Sequence, residues 1–223
     1  MFQLLHAVSF ALLDSVNVLL IGIIVAIAAL LPRNGKFSRI ATLLIAGDWL
    51  GVFILSIFVM LIFDGVEDVV QSFLHSIWFG IILIATGVVS FLATLLSKSD
   101  GGTRKIDGFL TPVKNPSWKT VGAGLILGIV QSATSVPFFA GLGYLSIGNF
   151  GPVISYGGLV VYATLALSLP IIVAFLVGMV RRYPESPVGR LFELIGENKE
   201  KVTKWSGYLV AVILCIIGIS TLL

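Results

Sequence analysis

Two carboxylic acids, Asp14 and Asp48, stand well inside long apolar stretches that contain no Lys or Arg. A charged carboxylate at the centre of a bilayer costs about 2.5–3.5 kcal/mol on insertion scales. Each must therefore find a proton, a bound cation, water, or a neighbouring hydroxyl or amide. A carboxyl that releases its proton when exposed to one side of a membrane is a proton relay; one that keeps its charge holds a cation. The plainer alternative is a permanently protonated acid that hydrogen-bonds a neighbouring helix. Asn17 follows Asp14 at i+3, which places it on the same helical face and completes a polar site. Trp49, beside Asp48, is either a packing residue or one wall of a cation site.

A second polar group lies further along the chain. Gln131, Ser132, Thr134 and Ser135 put four hydrogen-bonding side chains within five positions, and Pro137 follows. Proline lacks an N–H and clashes with the carbonyl four residues back, so the Ala133 carbonyl is expected to be freed. A polar run with a proline at the midplane points to a broken helix at a binding site; the alternative is a kink satisfied by Ser and Thr. Tyr162, Thr164 and Ser168 ahead of Pro170 repeat the device more weakly. The candidate substrate- or proton-binding residues are thus Asp14, Asn17, Asp48, Gln131, Ser132, Thr134 and Ser135, with Pro137 and Pro170 as helix breaks. Gly124 and Gly128 form a small-xxx-small pair for close helix approach.

The elements that must position these residues follow from hydropathy. Of 223 residues, 57% are hydrophobic and 11% charged, against about 25% charged in a soluble domain; mean hydropathy is +1.08. A membrane span needs roughly 20 apolar residues. Six spans account for the chain: Gln3–Leu31, Ile40–Phe63, Ser72–Ser97, Val121–Ile147, Pro152–Val180 and Lys204–Leu223. All 14 Lys and Arg fall in or beside the links after spans 1, 3 and 5. Positive charge near span ends stays cytoplasmic, so those links face the cytoplasm and both termini face outward. Asp14 and Asp48 then reach similar depths from opposite sides, roughly 12–17 Å into a core of about 30 Å.

Six spans divide into inverted halves of three, the arrangement of inverted-repeat transporters. Asp14-Ser15-Val16-Asn17 is echoed 117 residues on by Gln131-Ser132-Ala133-Thr134. The expected organisation is an all-α integral membrane protein: a first three-helix repeat over 1–97, a cytoplasmic linker over 98–120, and a second repeat over 121–223. Within the second repeat, Val188, Leu191, Phe192 and Ile195 predict a cytoplasmic amphipathic helix near 187–203. Trp118 and Trp205 suit interfacial anchors.

Other classes find little footing. The net charge of +3 arises from residues flanking spans, so no nucleic-acid partner is expected. Cys215 stands alone, which rules out an internal disulfide. His6 and His75 lie near outer span ends, and the sequence has no HExxH and no GxSxG. Neither an enzyme nor a cofactor or metal site is expected. The N-terminal run lacks a preceding positive region and reads as a retained span.

With these residues in place the chain resembles the lysine-exporter (LysE) superfamily. The likeness rests on Leu13-Asp14-Ser15-Val16-Asn17, on Gly47-Asp48-Trp49-Leu50-Gly51-Val52-Phe53-Ile54-Leu55, and on Gly196 through the basic run Lys199–Lys204 into span 6. It is nearest to the cadmium-resistance and glycolipid-export-associated (GAP) branches. The resemblance implies inverted repeats, efflux driven by the proton or membrane gradient, and a site made by spans 1, 2, 4 and 5. Cadmium-type members carry an Asp-Asn pair in span 4 where this chain has Ala133-Thr134-Ser135, which counts against divalent-metal export.

The leading expectation is a secondary exporter in the cell (inner or plasma) membrane, with alternating access at a midplane site. It would be coupled to protons or a cation and would carry a cationic amino acid or small cation. The first alternative is an exporter or flippase of a lipid-linked or glycolipid envelope precursor; the second is a non-transporting membrane assembly factor. Expected partners are the small-molecule, cation or lipid substrate, protons and membrane lipid. A homo-oligomer is open.

Overall fold

A computed structural model describes residues 2–31, 36–96, 116–148, 150–183 and 185, with positions 208, 212, 215, 216 and 219. Most of the central linker, the surface helix expected near 187–203 and most of span 6 lie outside the described residues. Within the described residues the chain is helical, with no strand. The helices are α1 (Phe2–Asp14), α2 (Val18–Leu30), α3 (Phe37–Gly65), α4 (Glu67–Leu74), α5 (Ile77–Leu96), α6 (Trp118–Ala133), α7 (Val136–Ser146), α8 (Pro152–Ala166) and α9 (Ser168–Arg182).

Two stretches are each long and apolar enough to cross a membrane, Phe2–Ala28 and Phe37–Gly65. Three bent pairs raise the number to five if each pair is one span: α4 with α5 at 59°, α6 with α7 at 77°, and α8 with α9 at 41°. Large apolar side chains such as Phe58, Leu61, Val153 and Phe175 stand exposed, the surface that a membrane-embedded protein presents to lipid tails rather than to water.

The breaks fall where the backbone loses a donor or a side chain replaces one. Pro137 sits in the first turn of α7, where a missing N–H costs nothing, so α6 stops at Ala133 and a new helix starts instead of a kinked one continuing. Pro170 likewise lies in the first turn of α9, after a break at Leu167. The first span corrects one expectation. Its helix ends at Asp14, and Asn17 is the N-cap of α2, not a residue one turn along the same helix. The i+3 argument for a shared face therefore fails. The Asn17 Oδ1 accepts the Leu20 N–H at 2.9 Å, offering the backbone an alternative to the continuous helix.

α3 and α6 form the tightest crossing. Gly47 and Gly51 of α3 lie against backbone atoms of Val121, Leu125 and Ile129, while Gly124 and Gly128 of α6 lie against backbone atoms of Leu44 and Asp48. Numbering rises together along both helices, so they run parallel. Four glycines at small-xxx-small spacing remove the side chains that would separate the backbones. Three apolar clusters pack the helices together. Leu20, Ile24, Ile40, Leu44 and Leu167 join α2, α3 and the α8–α9 break. Ala11, Val52, Met60, Phe138, Leu142, Leu159 and Ala163 join α1, α3, α7 and α8. Phe10, Val70, Leu74, Leu83 and Ala140 join α1, α4, α5 and α7.

Candidate functional site

The glycine crossing fixes Asp48. With Gly47 pressed on Val121 and Leu125, and Gly128 on the Asp48 backbone, the Asp48 side chain faces the last turn of α6. It is 0% exposed. Gln131 Nε2 donates to its carboxyl at 3.0 and 3.3 Å. The amide's other end, Oε1, is buried without a partner.

Asp14 is held at the second break. It closes α1, and its Oδ1 accepts the Ser135 hydroxyl at 2.5 Å. Ser135 is the N-cap of α7, and its oxygen also accepts the Phe138 N–H at 3.2 Å. A chain of donors thus runs from the Phe138 amide through the Ser135 hydroxyl to the Asp14 carboxyl. The positive end of the α7 dipole points the same way. α1 and α7 are antiparallel neighbours here, since His6 and Phe10 stack on Tyr144 at 4.8 and 5.9 Å.

Asp14 and Asp48 come from different helices, α1 and α3, and meet the two sides of one break through Ser135 and Gln131. Tyr162 donates to the Pro137 carbonyl at 3.2 Å, tying α8 to the same break. A carboxylate buried in an apolar interior needs a proton or a cation to offset its charge. The arrangement can take up and release a proton, or hold a small cation.

The remaining candidates divide. Ser132 is buried in the last turn of α6, beside Gln131. The Thr134 hydroxyl donates to the Val130 and Gln131 carbonyls at 3.1 and 3.0 Å. It finishes α6 and is paired with neither carboxyl. Asn17 is buried at the α1–α2 break. Trp49 stacks on Phe53 with centroids 5.0 Å apart, and its Nε1–H donates to Thr164 Oγ1 at 3.2 Å. Trp49 also ends an apolar groove of about 910 Å³ between α3 and α9. Ser38, Thr42, Arg182 and Tyr183 line the groove's other end.

Sequence reasoning gave Gly47 and Gly51 no structural role, although their spacing matches that of Gly124 and Gly128. It also missed Arg181, whose guanidinium donates to the Ala28 carbonyl and, at 3.2 Å, to the Leu31 carbonyl. Arg181 stands 5.3 Å over the Phe37 ring as well, fastening α9 to the C-terminus of α2. A cation within one turn of a helix C-terminus was the available signal, but the partner helix was not legible. No protein-family model, no curated protein and no solved structure matches this chain.

Proposed function

We propose that this chain is a proton- or cation-coupled secondary transporter of the LysE type, exporting its substrate by alternating access around Asp14 and Asp48. The observation that carries the reading is the pairing of two carboxyls from different spans with neutral donors, Ser135 and Gln131, on the two sides of the break in one span. No Lys or Arg of the sequence lies in those spans to neutralise them, so the counter-charge is mobile. Breaks in both the first span and the α6–α7 pair, with caps at Asn17 and Ser135 that are 118 residues apart, support two inverted three-helix repeats. Parallel α3 and α6 suit spans 2 and 4 of a six-span topology with both termini outside and the basic links in the cytoplasm. The leading substrate class is a cationic amino acid or small cation.

The test is transport in proteoliposomes under an imposed pH gradient, with labelled lysine and monovalent cations as probes. Asp14→Asn and Asp48→Asn should each abolish gradient-driven movement while the protein still purifies folded. Undiminished transport by both variants would remove the assignment.

A second reading, export of a lipid-linked envelope precursor, is favoured by the α3–α9 groove. From Ser38 to Trp49 it spans about 17 Å of helix rise, roughly one leaflet of a 30 Å core, with Arg182 at one end. Anionic lipid retained through purification, and lost in Arg182→Glu by native mass spectrometry, would favour this reading over the first.

A further inference from the structure

Two of the helices that start afresh within a span, α7 and α2, differ in what their N-termini offer. α7 has Ser135 as its cap, Pro137 in its first turn, and the Asp14 carboxyl hydrogen-bonded to the cap. Its positive end already faces an acid. α2 is 13 residues long with no acidic residue in its first turn. Its cap, Asn17, is 8% exposed. The Asn17 Oδ1 is taken by the Leu20 N–H, and the Nδ2 is buried with no partner. The Val18 and Ile21 N–H groups reach the Val16 and Asn17 carbonyls, while the Leu19 N–H takes no acceptor among the described residues.

An uncommitted amide donor on the cap and an uncommitted backbone donor two residues on thus both belong to the positive end of one helix. A buried polar group left unpaired costs about 1–3 kcal/mol, so an acceptor bonded to the Asn17 Nδ2 would offset the cost of its burial. Backbone N–H groups together with the helix dipole select a negatively charged oxygen. The adjoining acid, Asp14, faces Ser135 at the other break and is no acceptor for these donors among the bonds formed.

We propose that the N-terminus of α2, through the Asn17 Nδ2 and the Leu19 N–H, is the subsite that binds an anionic oxygen group, carboxylate or phosphate, of the transported solute. This rests on the transporter reading and narrows its substrate: the solute carries an acid group for α2 as well as a cationic group for the Asp14–Asp48 pair. An inorganic cation alone leaves the subsite unfilled.

The test uses the full chain purified in detergent, with the thermal unfolding midpoint as readout. The probes are lysine against cadaverine, which lacks the carboxylate, and phosphoethanolamine against ethanolamine, which lacks the phosphate. Ser and Asp cap helices about as well as Asn, so Asn17→Ser and Asn17→Asp keep the Leu20 bond while removing the Nδ2 donor. The expected result is a midpoint raised by at least one acid-bearing probe and not by its counterpart. That shift should shrink in Asn17→Ser and vanish in Asn17→Asp, where a second negative charge opposes the ligand. A shift with lysine names a carboxylate source, and one with phosphoethanolamine a phosphate source. The proposal is overturned if neither acid exceeds its counterpart, or if Asn17→Asp keeps the shift. Because the readout is binding without a gradient, it separates from the transporter reading. Asn17-dependent binding without any transport would sink only the latter, and Asp14-dependent transport without an Asn17-dependent shift only the subsite.

Discussion

Gln131 Nε2 lies 3.0 Å from Oδ2 of Asp48, joining α3 to α6 by a neutral donor and a fully buried acid. The contact exists because Gly128, three residues before Gln131, lets the α6 backbone approach the Asp48 backbone. Packing and chemistry are therefore the same feature seen at two distances. A wider crossing would carry Gln131 out of reach.

Removing the donor should cost stability and function separately. Gln131→Leu leaves the Asp48 carboxyl without its side-chain partner, and a buried unpaired acceptor costs about 1–3 kcal/mol. Thermal or denaturant unfolding in detergent should register that loss. Combined with Asp48→Asn, the second substitution should cost less than it does alone, because the two residues share one interaction. Additive losses in the double-mutant cycle would mean that the contact contributes little.

The crossing itself makes a second prediction. A Cβ on residue 128 would overlap the Asp48 carbonyl, whereas a Cβ on Gly122 of the same helix meets nothing within 4 Å. Overpacking of this kind costs about 1–3 kcal/mol, and more where the neighbour is backbone. Gly128→Ala should lower the unfolding midpoint and weaken transport through the displaced Gln131. Gly122→Ala should be neutral or slightly stabilising, since alanine favours helix by about 1 kcal/mol. Equal behaviour of the two variants would contradict the parallel α3–α6 packing.

The sequence disclosed these residues unevenly, for reasons that are physical. Asp14, Asp48 and Gln131 were legible because polar groups in apolar runs are expensive and stand out from composition. The α6–α7 break was legible because Pro137 announces it. The break at Ser15–Asn17 was not: Val16 and its neighbours contain neither Gly nor Pro, and hydropathy averages straight across them. Only the cap of Leu20 by Asn17 marks the new helix, and an Asn within an apolar run reads equally well as a helix-face residue. Thr134 stood beside the site in sequence, but at the helix end its hydroxyl turned to the Val130 and Gln131 carbonyls. Which helix lies opposite which is a tertiary fact. The partners Gly47 with Val121, Trp49 with Thr164 and Arg181 with Ala28 could not be read from spacing along one chain.

Ser135 has two duties that one substitution series separates. Ser135→Ala removes both the cap of α7 and the donor to Asp14, and loss of an N-cap alone costs about 1 kcal/mol. Ser135→Thr keeps a hydroxyl in the cap position and should restore most of the stability and the transport. Ser135→Asp keeps the cap and places a second acid against Asp14. It should therefore hold stability better than Ala in the α7 cap but disturb coupling more. If Ser135→Asp transports like the unaltered protein, the Asp14–Ser135 contact has no part in coupling.

Trp49 and Thr164 connect α3 to the turn of α8 that precedes the Leu167 break, and their bond at 3.2 Å crosses between helices. Thr164 in turn donates to the Val160 carbonyl at 2.7 Å, so its oxygen is oriented to accept from Trp49. Trp49→Phe preserves an aromatic ring to stack on Phe53 but removes the donor. Thr164→Val removes the acceptor at nearly constant volume. Each should cost about 0.5–1.5 kcal/mol, the net worth of a typical hydrogen bond, and the double variant should cost little more than either alone. Trp49 also ends the α3–α9 groove next in sequence to Asp48, so releasing it should change access to the buried acid. The measurement is reaction of a carboxyl reagent with Asp48 in each variant, followed by peptide mass spectrometry. Faster labelling in Trp49→Phe and Thr164→Val than in the unaltered chain is the expected result. Unchanged labelling in both would mean that the bond fastens two helices without guarding the path to Asp48.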